Sequence, residues 1–138
     1  MHFSIGLRTA ALLAALPASL AAQYHLSVSY DSVYDNYDSS VNTVACSSKL
    51  RSMGFDTLGS IPTFPNIGGA MLVSKSGSDN CGTCWKLEYN NRTVAVLVID
   101  STDDGFNISK DAYIKLDSMS TGRLEASATE VSVSDCGL

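Results

Sequence analysis

At 138 residues the chain has room for one domain rather than two. Its formal charge of −5 offers no attraction to nucleic acid or to an anionic membrane surface, so neither is an expected partner and neutral glycans fit better. Two histidines and four cysteines leave little for a metal site, and no phosphate-binding glycine loop is present, so no metal or organic cofactor is expected.

Residues 1–22 read as a secretory signal peptide. His2 and Arg8 make a polar, basic start and Ala10 to Leu20 is almost wholly apolar. Ser19, Ala21 and Ala22 are the small residues a signal peptidase reads, with cleavage after Ala21 or Ala22. The apolar run is too short to span ~30 Å of hydrocarbon, and no second run follows. Residues 23–138 then form the mature domain, whose charge becomes −6 once Arg8 has left. Secretion is the expected fate. Cys46, Cys81, Cys84 and Cys136 all lie in this part, and an even count in an oxidising compartment implies two disulfides. Three pairings are open. A Cys81–Cys84 bridge would close a tight, redox-type loop and suits a structural pair least. The single, paired, single spacing is not that of a zinc ribbon.

Leu26, Val28 and Tyr30 alternate with polar residues and predict a half-buried strand. Asp31 to Asn42 is polar and predicts a loop carrying Tyr34 and Tyr37. Ser47 predicts the cap of a short helix through Met53, with Gly54 as its stop. Gly59 to Gly69 is non-helical, because Pro62 and Pro65 fix two φ angles and bias their predecessors toward extended geometry. Trp85, Leu87 and Tyr89 alternate, Asn90-Asn91 makes a turn, and Val94 to Ile99 is apolar throughout. Together they predict a hairpin whose second strand is buried on both faces. Ser109 predicts the cap of a helix to about Asp117, and the alternation from Ala128 to Val133 predicts a last strand ending near Cys136. The sum is mainly β with two short helices, and a chain this small removes its sheet edges best by closing a barrel.

A set of motifs in a fixed order narrows this further. Val28-Ser-Tyr-Asp31, Thr43-Val-Ala-Cys46, Gly59-Ser-Ile-Pro62, Phe64-Pro-Asn-Ile-Gly-Gly69, Asn80-Cys-Gly-Thr-Cys-Trp-Lys86, Val96-Leu-Val-Ile-Asp100, Gly105-Phe-Asn107 and Cys136-Gly-Leu138 resemble the cerato-platanin family. The match runs from about Ser27 to Leu138. The resemblance implies a six-stranded double-psi β-barrel with two or more short helices, shared with expansin and barwin-like domains. It implies disulfides Cys46–Cys81 and Cys84–Cys136. It also implies a secreted fungal protein of the extracellular space or cell wall, monomeric or weakly dimeric. Such a protein binds chitin or cellulose oligosaccharides, loosens cellulosic material without hydrolysis and can be perceived by a plant immune receptor as an elicitor.

Asp100 is the best candidate for chemistry, because it is carried from an apolar strand toward a loop and matches the family's groove aspartate. The competing reading makes it a loop cap that accepts backbone N–H bonds. Glycoside hydrolysis needs two carboxyl groups at a set separation. Asp31, Glu88, Asp103 and Asp104 are the available partners, and none is convincing as a second acid. A catalytic role is therefore not expected, although one positioned acid leaves room for a weak glycanase or lytic transglycosylase. A surface-active structural protein of the fungal wall is the other alternative. Sugar hydroxyls and faces would meet Asp100, Tyr30, Asp31, Asn66 and Asn107, with Tyr34 and Tyr37 also available. Trp85 reads as core. Asn91-Arg-Thr93 and Asn107-Ile-Ser109 are N-glycosylation sequons, with Asn91, in the hairpin turn, the favoured acceptor over Asn107.

Overall fold

The computed structural model describes residues 21–75, 77–118 and 121–138. The predicted signal peptide lies outside these residues except for Ala21 and Ala22. Six strands close a barrel: β1 Gln23–Tyr30, β2 Ile67–Ala70, β3 Cys84–Tyr89, β4 Arg92–Ser101, β5 Phe106–Ile108 and β6 Arg123–Val131. Their order around the barrel is β1-β5-β2-β4-β3-β6. Pairs β1·β5 and β2·β4 are parallel, and the other four are antiparallel. Among the described residues two helices, α1 Ser47–Ser52 and α2 Lys110–Leu116, lie among short 3-10 turns.

The predicted hairpin is β3–β4. Asn90 and Asn91 have φ of 48° and 65°, the left-handed pair that matches a two-residue turn to the strand twist. Val94, Val96, Leu97, Val98 and Ile99 are all buried, so β4 is the central strand of the core. Trp85 is core as well, 4% exposed, with Nε1 donating to Thr83 Oγ1 at 3.0 Å. Ser109 caps α2 as predicted, its Oγ accepting from Ala112 N at 3.0 Å.

Several boundaries differ. The Asp31 to Asn42 loop contains two 3-10 turns, Ser32–Asp35 and Val41–Thr43. Helix α1 is capped at Cys46 rather than Ser47, because Cys46 is already pinned by its disulfide and by its N–H to Ile99 O at 3.1 Å. Strand β6 starts at Arg123, well before Ala128, and ends at Val131 rather than near Cys136, because Ser132 caps a 3-10 turn over Val133–Cys136. Its inward residues Leu124, Ala126 and Ala128 include two alanines, which blunt the apolar alternation. Strands β2 and β5 carry no sequence signal of their own: one is Ile-Gly-Gly-Ala and the other three residues long.

The disulfides are Cys46–Cys81 and Cys84–Cys136, the pairing the resemblance implied. The second ties β3 to the last 3-10 turn, Val133–Cys136, closing 52 residues of chain. Replacing Cys84 and Cys136 together by serine should cost about 4 kcal/mol on the chain-entropy model. Urea unfolding would measure the loss, and amide exchange should show residues 133–138 released first.

Candidate functional site

Four residues from four adjacent strands stand in one row across the barrel wall. Ser29 of β1 pairs with Asn107 of β5, Asn107 with Gly69 of β2, and Gly69 with Asp100 of β4. A bulge between Gly68 and Gly69 shifts the register so that Asp100, not Ile99, faces Gly69. Ser29, Asn107 and Asp100 are half-buried, whereas Gly69 presents no side chain. Gly69 itself is buried: a Cβ there would come within 3.0 Å of Ser101 O and 3.3 Å of the Tyr34 hydroxyl, so its bare backbone lets Ser101 and Tyr34 close over it beside Asp100.

Asp100 is built into this row by three donors. Its Oδ1 accepts from Ala45 N at 2.9 Å and from its neighbour Ser101 N at 2.9 Å. Its Oδ2 accepts from the Tyr34 hydroxyl at 2.8 Å. Both readings of Asp100 therefore meet in one residue, since it caps backbone N–H groups and also stands at the row's end. A carboxylate offers about four acceptor positions, so one remains, on Oδ2. Beyond Asp100 the surface enters a cleft of about 280 Å³ lined by Val33, Tyr34, Ser39, Thr43, Val44 and Leu58.

Tyr34 is 5% exposed. Burial, then the Asp100 charge and the hydrogen bond to it, push the phenol far above its ordinary value of 10.0. The phenol thus stays a donor to Asp100 across the whole physiological range. Asn107 is held by Ser29, whose hydroxyl donates to Asn107 Oδ1 at 3.0 Å. Tyr30 is the residue after Ser29. Its ring packs on Tyr113 at 5.0 Å, with Lys110 Nζ 5.8 Å from its centroid.

Not every expected residue joins the row. Asp31 is exposed and caps the first 3-10 turn, accepting from Val33 N at 3.0 Å. Asn66 precedes β2 and sits in a separate hollow of about 520 Å³ with Thr63, Phe64, Lys115 and Asp135. Its Oδ1 accepts from Lys115 Nζ at 2.8 Å, so its amide oxygen is already occupied. Of the weighed second acids, Asp104 is exposed beside Arg123 at 3.7 Å, and Glu88 lies on the hairpin strand β3. Asn91 sits exposed at the hairpin tip, whereas Asn107 is within β5. Ser29 and Gly69 carry no mark in the sequence as row members, and Tyr34, available there as a ring, instead donates to Asp100, because only the barrel's closure brings the three beside it.

A family model for cerato-platanin matches residues 26–138. The chain belongs to the cerato-platanin family. Among its relatives, "Allergen Asp f 15" of Aspergillus fumigatus is 40% identical over 116 residues, covering 80% of this chain and 76% of that protein. The crystal structure of cerato-platanin 3 from M. perniciosa superposes with a TM-score of 0.78 at 32% identity, covering 83% of this chain and 100% of that one. The solution structure of the fungal elicitor cerato-platanin gives 0.73 at 36% identity, covering 80% of this chain and 95% of that one. An expansin from Clavibacter michiganensis, in complex with cellohexaose, shares the fold at a TM-score of 0.59 and 19% identity, over 80% of this chain and 51% of that one. The cerato-platanin barrel is thus the double-psi barrel that expansins also use.

The Tyr34 phenol has a raised value in the folded state, so its contribution to stability is complete below pH ~10, where the unfolded tyrosine titrates, and declines as pH rises above it. Tyr34→Phe should lose about 1.5–3 kcal/mol at neutral pH, the worth of a hydrogen bond to a charged group. It should also lose less stability than the wild type between pH ~9 and ~11, as read by denaturant unfolding.

Proposed function

We propose that this cerato-platanin is a secreted wall protein that holds a β-linked glycan of the chitin or cellulose type along the Ser29–Asn107–Gly69–Asp100 row and does not cleave it. The observation that carries this reading is Asp100 with all three of its contacts arriving as donors. A general acid must have a proton to give, whereas this carboxylate is arranged to accept. Its free acceptor position suits one sugar hydroxyl, and a charged acceptor makes a hydrogen bond about twice as strong as a neutral one. Asn107 adds amide donors, and the absence of a side chain on Gly69 leaves room for Tyr34 to reach Asp100 from beneath the row. Loosening follows when such a chain is held away from its neighbours in the fibre, with no covalent bond broken.

An expansin of the same fold in complex with cellohexaose supports the choice of ligand class. Secretion, with residues 1–22 removed, is part of the proposal and agrees with two disulfides. So is N-glycosylation at the exposed hairpin tip Asn91, with Asn107 kept bare within the row. Perception by plants is proposed from the likeness to the protein named a fungal elicitor.

Asp100→Asn tests the reading. The variant should fold, because the amide oxygen can accept from Ala45 and Ser101 while its nitrogen donates to Tyr34. Calorimetric affinity for cellohexaose should fall by about 1–3 kcal/mol. Reducing ends should stay at background in both proteins. Soluble sugar released by the wild type and not by the variant would instead make this an enzyme.

A further inference from the structure

Tyr37 is a large aromatic that the Asp100 row does not use, and it is the most exposed apolar side chain in its neighbourhood, 60% open to solvent. Its ring is nevertheless fixed. A Cβ built on Gly59 would collide with three of its ring carbons, so one ring face lies flat against the bare Gly59 backbone. Phe64 meets it edge to face, with centroids 5.5 Å apart and planes at 90°. The Gly59 N–H also bonds Tyr37 O at 2.9 Å. A ring seated on one face and braced at its side leaves its other face to water. An ordinary surface tyrosine is not seated this way, and burying such a face would be favourable.

The platform continues the proposed groove. Ser39 and Leu58 line the cleft next to Asp100, and Leu58 N donates to Ser39 O at 2.9 Å. Tyr37 and Gly59 flank this same pairing, one step further out. On the far side Phe64 also lines the hollow that holds Asn66. Tyr37 thus stands one backbone pairing beyond the cleft wall that Ser39 and Leu58 form, within reach of a linear ligand that extends past Asp100.

We infer that Tyr37, seated on Gly59 and braced by Phe64, is a stacking subsite for a pyranose ring of the same glycan chain that Asp100 holds. The inference rests on the glycan-binding reading above. The chemistry is specific to that class: a β-linked pyranose presents a flat face of axial C–H groups, which an aromatic face accepts, and hydroxyls at its rim that stay in water.

The test is calorimetric titration of the secreted protein with cellohexaose and chitohexaose, comparing wild type with Tyr37→Phe, Tyr37→Leu and Tyr37→Ala. Phenylalanine keeps the ring and should bind within about twofold of wild type. Leucine keeps an apolar cover over Gly59 but no flat face. It and alanine should weaken the hexamers about tenfold, the loss expected when an aromatic anchor is truncated. Leucine or alanine variants that bind as wild type overturn the subsite alone, and so does a phenylalanine variant as weak as alanine. A wild type that binds neither hexamer overturns the glycan reading itself. Thermal unfolding of each variant guards against loss of fold, and the leucine variant decides the matter if alanine unfolds.

Discussion

The carboxylate of Asp100 holds the groove side of this barrel together. The stretch from Asp31 to Ser60 leaves the barrel after β1 and must be laid back over it. Among the described residues, Asp100 ties it down at two places far apart in sequence, the Tyr34 hydroxyl and the Ala45 N–H. The Cys46 N–H to Ile99 O adds a third tie one residue along. The seat of Tyr34 and the cleft wall it forms follow from that fastening, helped by Asp31 N–H to Ile108 O at 2.9 Å and by Asp35, which accepts from Lys110 N and Asp111 N at 2.8 and 3.0 Å. The same residue thus serves packing and recognition, and the bulge at Gly68/Gly69 is what turns it to face the row.

Much of the fold was legible where one side chain pattern decides the outcome. The Asn90-Asn91 turn, the buried run Val94 to Ile99 and the Ser109 cap are local events, and local events leave local marks. The Gly68-Gly69 strand and the three-residue β5 do not, since their backbone is extended because neighbours on both sides bond to it. A closed barrel was legible in the run of short strands, whereas its six-stranded double-psi topology and the disulfide pairing came from the family likeness.

The site divided along the same line. Asp100 stands out at the end of an apolar strand, and Asn107 within a motif. Tyr34 looked like one more loop tyrosine, because nothing near it in sequence announces a carboxylate 66 positions away. Asn66 looked equally promising in its proline-framed loop, yet it belongs to another hollow and is bonded to Lys115. Gly69 and Gly59 matter for what they lack. One lets the Tyr34 hydroxyl and Ser101 close in beside the acid and the other leaves a seat for an aromatic ring, and neither use can be read without the partner that approaches it.

A row whose half-buried members are a serine, an amide and a carboxylate with one free acceptor is suited to gripping a chain weakly at several points. Backbone amide shifts of isotope-labelled protein titrated with cellohexaose would locate that grip directly. The account predicts the largest shifts at Ser29, Gly69, Asp100, Ser101 and Asn107. Shifts centred on the Asn66–Lys115 hollow or on the Asn90–Asn91 tip, with the row unmoved, would contradict it.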